Sequence, residues 1–209
     1  MDRIQAASRA IEAGRVVIVP TTRWYMLCCD AGNPEACASI FTWKQRPISK
    51  SLLLVLRSND EAFRWFQIDD DAATLIHNFW PGDLALLLRW SDVESGRRYS
   101  SVGAPVALVS RPAGILGDLA NHTSVPIAAT SANLSGTAES RGVGPAISPD
   151  EVAVFIEESG AKVDVVIEEG ICPAFMPMTI VDCSSEESPA RIVREGTTHS
   201  RAIAAALRR

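Results

Sequence analysis

The sequence is poor in the residues on which much enzyme chemistry is built. Its 209 residues include only three histidines and two tyrosines. His77, His122 and His199 fall in or beside predicted helices without an obvious nucleophile nearby. No Gly-x-Ser-x-Gly elbow supports a serine–histidine triad. Neither G-x-x-x-x-G-K nor a G-x-G-x-x-G after a strand occurs, so two common nucleotide cradles are excluded. Cys-x-x-Cys is missing as well. The five cysteines make an odd count with no framework spacing, and Cys28 and Cys29 are adjacent, which on a strand sends them to opposite faces. Small buried hydrophobes in a reducing cytosol are the expected reading, with no protein-bound metal. No window reaches the roughly 18 uninterrupted apolar residues that a membrane span needs. The opening "MDRIQAASRAIEAGR" is charged throughout, unlike a signal peptide, so a cytoplasmic protein away from membranes is expected. The Asn-Leu-Ser at Asn133 then never meets the glycosylation machinery.

What is present describes an ordinary globular protein, 47% apolar and 22% charged. The net charge of −5 gives no global field to draw in nucleic acid, although a local basic patch is compatible with it. "IQAASRAIEAG" sets Ile4, Ala7 and Ile11 on one helical face, with Gly14 ending the helix. "RVVIVP" and "WYMLCCDA" read as strands. Asn33-Pro34 starts a helix that runs through "EACASIFTWK". "SLLLVL" is a further strand, "SNDEAFRWF" and "DDAATLIHNF" are helices, and "WPGDLALLLRW" is a turn and a strand. "SDVESGRRYSS" reads as a loop. "PVALVS" and "VPIAAT" are strands flanking a helix around "GILGDLAN", and a long Gly/Ser/Pro-rich loop, "SANLSGTAESRGVGPAISP", follows. A helix from Asp150 to about Glu158 precedes the strands "KVDVVIEEG", "MTIVDCS" and "ARIVREG" and a terminal helix. The alternation without a central linker predicts one α/β domain over 1–209, with a mixed sheet and flanking helices.

Two stretches carry candidate chemistry. "KQRPISK" puts Lys44, Arg46 and Lys50 at a helix end and in the following loop, a compact set of cations suited to phosphates and to charge developing in transfer. A solvated, dipole-favoured helix end is the competing reading. "ATSANLSG", after the strand "VPIA", places small hydroxyl and amide side chains at the C-terminal end of a strand, where α/β sheets bind ligands; a plain Ser/Asn turn is the alternative.

Together these stretches resemble the YrdC-like family, the threonylcarbamoyl-adenylate synthases in their single-domain form. The likeness also rests on the strand leading to "PT", the "CDA"-"NPEA" helix entry, "WPGDLALLL", "TIVDCS" and "RIVREG", in the same order over nearly the whole chain. It implies a twisted α/β domain with a mixed sheet around a large open cavity. The implied reaction joins ATP, bicarbonate and threonine into a carbamoyl-adenylate, with magnesium and release of pyrophosphate, for later transfer to tRNA by other proteins. By position, Lys44 and Arg46 match the family's catalytic K-x-R pair. Arg46, Lys50, Ser131, Asn133 and Arg194 are the implied nucleotide contacts. Thr21, Arg23, Tyr25, Ala129 and Met178 are the implied acceptor contacts.

The acceptor side departs from the family pattern. Where the family reads P-T-[DE]-T-x-Y-G-L, this chain reads "PTTRWYML", so Arg23 replaces a substrate-contacting threonine and Met26 a glycine. Val109 corresponds to the carboxylate-binding arginine, for which Arg111 is a possible substitute. Met178 takes the place of a substrate-facing serine, and Val55 occupies another acceptor position. Arg23 is expected to be either a relocated anchor for a carboxylate or second acidic group, flanked by Trp24 from the opposite strand face, or a surface arginine in a decayed site. An altered acceptor is therefore expected. A catalytically inactive paralogue binding RNA or nucleotide is the alternative.

Overall fold

A computed structural model describes residues 2–136, 144–173, 176–185 and 187–208. Helix α1 (Arg3–Glu12) is capped by the Asp2 carboxylate, which accepts from the Ile4 amide. It closes at Gly14, whose φ of 77° suits a residue without a β-carbon. Strands β1 (Val17–Pro20) and β2 (Tyr25–Asp30) form a hairpin. Asn33 caps α2 (Pro34–Trp43) by accepting from the amides of Glu35 and Ala36, as the sequence predicts. There follow β3 (Leu53–Val55), α3 (Asn59–Trp65), α4 (Asp70–Phe79) and β4 (Leu84–Arg89).

The segment "SDVESGRRYSS" is not the expected loop. Asp92 accepts from the Ser95 amide and starts a short helix, α5 (Val93–Arg98). Gly96 signals close packing rather than a turn: a β-carbon there would stand 3.2 Å from the Trp90 ring. Beyond it lie β5 (Val106–Ser110), α6 (Gly114–His122), β6 (Ile127–Ser131), α7 (Pro149–Ser159), β7 (Val165–Val166), β8 (Thr179–Asp182), β9 (Arg191–Arg194) and α8 (Ser200–Leu207). Among the described residues no helix is long and apolar enough to cross a membrane.

The nine strands form one mixed sheet in the order β7-β1-β2-β6-β3-β5-β4-β8-β9. Strand alternation divides its buried side chains between two apolar groups. Tyr25, Leu27, Cys29, Leu54 and Val109 join the larger one, with residues of α2, α4 and α7. Met26, Cys28, Leu53, Val55, Ala129 and Met178 lie on the other face, where α1 and α6 cover part of the surface. Cys28 and Cys29 thus occupy opposite faces as expected, and all five cysteines are buried.

Twist decides which ends of this sheet meet. The β1–β2 turn and the start of β4 are four strand steps apart, about 19 Å in a flat sheet. They also lie at opposite ends of the strands, because Tyr25 is near Ser131 whereas Ala85 pairs with Ser110 in the row of Val55 and Ile127. A turn of roughly 20–25° per step brings such diagonal corners round toward one face.

Candidate active site

Lys44 is the C-cap of α2, and its side chain turns inward until 1% of it is exposed. The ammonium donates to the Ser131 carbonyl, to the Asn133 carbonyl at 2.6 Å and to Asn133 Oδ1 at 3.2 Å. Three donors therefore meet three oxygens from a segment almost ninety residues away in the chain. The tie runs in both directions, since the Ser135 amide donates to the Lys44 carbonyl at 2.8 Å. Burial, and then the charge of Arg46, pushes the Lys44 pKa down to about 7. Ser131 Oγ donates to Asn133 Oδ1 at 2.6 Å, which orients the pair at the end of β6.

Arg46 is reached through Gln45, a non-glycine residue with φ of 49°. The Gln45 amide donates to Thr42 and that of Arg46 to Phe41, closing the helix end. Arg46 Nε and Nη2 donate to the carbonyls of Lys50 and Ser51 at 2.9 and 2.7 Å, so its fork is held in place. Burial lowers its pKa. Lys50 is exposed beside it. Strand pairing sets Met26 opposite Ser131 and Leu53 opposite Ala129, so the cationic turn and the Ser-x-Asn loop meet at one end of the sheet. Arg194 belongs to the other side, at the β8–β9 edge, where its Nε and Nη2 donate to the Met178 carbonyl at 3.1 and 3.0 Å.

Arg23 is no surface arginine, since 2% of it is exposed. Its Nη1 donates to Asp83 Oδ1 in an ion pair that joins the diagonal corners. Its Nε is buried with no hydrogen-bond partner. Burial, and then Arg194, lowers its pKa to about 10. Trp24 does not flank it from an opposite face, because the guanidinium lies over the Trp24 ring with Cζ 5.7 Å from the centroid. Thr21 shapes this turn: its hydroxyl donates to the Trp24 carbonyl at 2.8 Å and accepts from the amides of Arg23 and Trp24. The Thr22 hydroxyl also reaches Asp83. Asp83 is the residue that sequence reasoning missed. Its only local signal was an acid directly after a Pro-Gly turn.

Several acceptor-side expectations change with this geometry. Tyr25 faces the larger core, donates to the Gly170 carbonyl at 2.8 Å and accepts from the Glu169 amide, so it anchors a turn. Val109 faces that same core, and the neighbours on the other side are Leu108 and Ser110. Arg111 is committed to the start of α3, donating to the Arg57 carbonyl and to Asn59 Oδ1 at 3.2 Å each, and supplies no substitute. Met26, Val55, Ala129 and Met178 do share one apolar face, where Met26 is buried. The long loop lies outside the described residues at positions 137–143. His77 and His122 each bond a carbonyl of their own helix through Nδ1, and His199 precedes the last helix.

These features define a mixed α/β protein with an anion-suited turn locked against a polar loop at one end of a twisted sheet. The chain belongs to the Sua5/YciO/YrdC family, whose model, described as "Telomere recombination", matches residues 9–196. It is similar to the threonylcarbamoyl-AMP synthase of Vibrio parahaemolyticus, at 25% identity over 94% of this chain and 100% of that one. A putative threonylcarbamoyl-AMP synthase of Methanocaldococcus jannaschii is 27% identical over 92% of this chain and 85% of its own length. Among solved structures, Sua5 of Pyrococcus abyssi complexed with L-threonine superposes with a TM-score of 0.84 at 28% identity. The match covers 98% of this chain but 57% of the Sua5 chain, so the protein spans little over half of that relative. YciO of E. coli, at 24% identity and a TM-score of 0.78 over 94% of this chain and 90% of its own, shares the fold.

Proposed function

We propose that the protein forms a carbamoyl-adenylate from ATP, bicarbonate and a small amino acid or related acid, releasing pyrophosphate, and that 1–209 is one YrdC-like domain for this reaction. The observation that carries the reading is the buried Lys44 ammonium tied to Ser131 and Asn133, with Arg46 fixed next to it. The names of the relatives agree with it. In this reading Arg46 and Lys50 neutralise the triphosphate and the charge that shifts to the leaving pyrophosphate. Ser131 and Asn133 orient the adenylate, with Lys44 holding their loop in register. Arg194 approaches from the β9 side.

ATP enters as its magnesium complex. Among the described residues no group of three or more His, Cys, Asp or Glu side chains could hold a metal ion. Such an ion would supply charge neutralisation at the phosphates, a role for which one or two protein ligands are enough. Other proteins would transfer the carbamoyl group onward, to tRNA in the reading that the family suggests.

Threonine is not the preferred acceptor in this proposal. Met26, Leu53, Ala129 and Met178 make an apolar floor with no hydroxyl partner among them, and the cation at its edge is Arg23. A site that does not hydrogen-bond a hydroxyl forfeits discrimination in favour of one. The test is pyrophosphate release with ATP, bicarbonate and a panel of amino and hydroxy acids. Acid-dependent release, weaker with threonine than with another acid, is expected. Robust turnover with threonine alone restores the ordinary acceptor, and no release with any acid overturns the enzymatic reading.

A further inference from the structure

The Arg23–Asp83 bridge leaves a charge unmatched. Arg194, at the end of β9, lies beside this pair: the hydroxyls of Thr197 and Thr198 just after it reach the Asp83 carbonyl, and its charge disfavours that of Arg23, so two guanidinium groups share the one carboxylate of Asp83. Arg194 uses Nε and Nη2 on the Met178 carbonyl. Arg23 uses Nη1 on Asp83, while its buried Nε has no partner. An unpaired donor in a side chain that is 2% exposed is costly unless a ligand completes it. The surroundings are apolar: Trp24 packs against the group that contains Met26, Leu53, Ala129 and Met178.

We infer that Arg23 and Arg194 form a subsite for a single carboxylate, and that Asp83 is the specificity-determining residue that restricts it to monoacids. This rests on the proposed function, in which a small acid is the second substrate. A carboxylate binds a guanidinium best side-on, through two parallel N–H groups, and Arg23 offers its Nε edge because Asp83 holds only the Nη1 corner. One negative charge brings the cluster to neutrality. A second carboxylate on the same ligand meets Asp83, a like charge, or the apolar floor, where it stays unpaired. Asp83 is held in that position by the Thr22 hydroxyl at its carboxylate and by the Thr198 hydroxyl at its carbonyl. With 32% of its side chain exposed, Asp83 lies on the solvent side of the buried Arg23.

The experiment is calorimetric titration of the full chain with L-valine, L-threonine and L-aspartate, with ATP present and bicarbonate withheld. Valine and threonine differ by one hydroxyl, and aspartate adds a second carboxylate. The wild type is expected to bind valine at least tenfold more tightly than aspartate. In Asp83→Asn that gap should narrow tenfold or more. Arg23→Gln should lose valine binding at least tenfold with ATP affinity unchanged. If Arg23→Gln does not fold, the double variant Arg23→Gln/Asp83→Asn, which keeps the shape of the pair without either charge, provides the same readout. Aspartate binding as tightly as valine in the wild type overturns the inference. So does an Arg23 variant with undiminished valine affinity, or a wild type that binds none of the three. Valine binding that behaves as stated without pyrophosphate release defeats the proposed function and leaves the subsite standing. Acid-dependent release that ignores Arg23 does the reverse.

Discussion

Replacing Lys44 by methionine separates two consequences of burying a cation. The lysine is 1% exposed, and its pKa falls from 10.5 to about 7 in the folded chain. Between those values the unfolded chain keeps a proton that the folded chain gives up, so stability rises as pH climbs through that window. The burial penalty is complete below about pH 7 and gone above the unfolded value. At 1.36 kcal/mol per pKa unit it amounts to about 4 kcal/mol near pH 7 and about 1 kcal/mol near pH 9.5. Wild type should therefore gain about 3 kcal/mol over Lys44→Met across that interval. Opposing this, methionine strands the Ser131 carbonyl and both Asn133 oxygens, at about 1–3 kcal/mol for each that water does not reach. Near pH 7 the two effects largely cancel, and the variant should lie within about 2 kcal/mol of wild type. ATP binding, by contrast, should weaken as the Ser131–Asn133 loop loses its tie. Urea unfolding of both proteins at the two pH values, with ATP titrations alongside, measures each part. Identical pH dependence of stability in the two proteins would refute the reasoning and show that the three oxygens keep Lys44 charged throughout.

Arg46→Ala should weaken ATP binding by about 1.5–3 kcal/mol, the scale of a charge-assisted hydrogen bond, and leave the fold intact; an unchanged affinity in equilibrium titration would leave Arg46 as a brace of its own turn with no part in binding phosphate. Val109→Arg should not create a carboxylate anchor, because the side chain enters the larger core. It should destabilise the fold by about 3 kcal/mol or more in denaturant titration, and a stable variant with improved acid binding would show that the strand parity is misassigned.

How far the sequence could be read depends on the range over which each signal acts. The helix start at Asn33-Pro34 was local and matched the structure. That Lys44 and Ser131 share a site was legible only because two motifs in a fixed order implied it, and the direct bond from the Lys44 ammonium to the Ser131 carbonyl was not. The faces of Tyr25 and Val109 were hidden, because β2 and most of β5 are buried on both sides and an apolar run carries no polar alternation to mark the pocket side. Burial of Arg23 was less legible still. It follows from a partner 60 residues on, Asp83, brought near by twist accumulated over four strand steps, and no local pattern encodes that sum. The helix at Asp92 was missed for a simpler reason: glycine and serine there looked like a loop, while Gly96 was making room for Trp90.

The left-handed residue at Gln45 has an electrostatic consequence. With Gln45 bonded to Thr42 and Arg46 to Phe41, the end of α2 is a Schellman motif in which glutamine stands where glycine is usual. One backbone reversal therefore sends Lys44 into the interior and sets Arg46 in the loop. It also places the anion-suited turn at the C-terminal end of a helix, whose partial charge is negative. Nucleotide sites at helix N-termini draw on fixed backbone dipoles that add to the attraction. Here side-chain cations must first outweigh an opposing dipole. Attraction for phosphate at this turn thus rests on side-chain charge, of which Arg46 is half-buried and Lys50 exposed, and ionic strength becomes a control on nucleotide affinity.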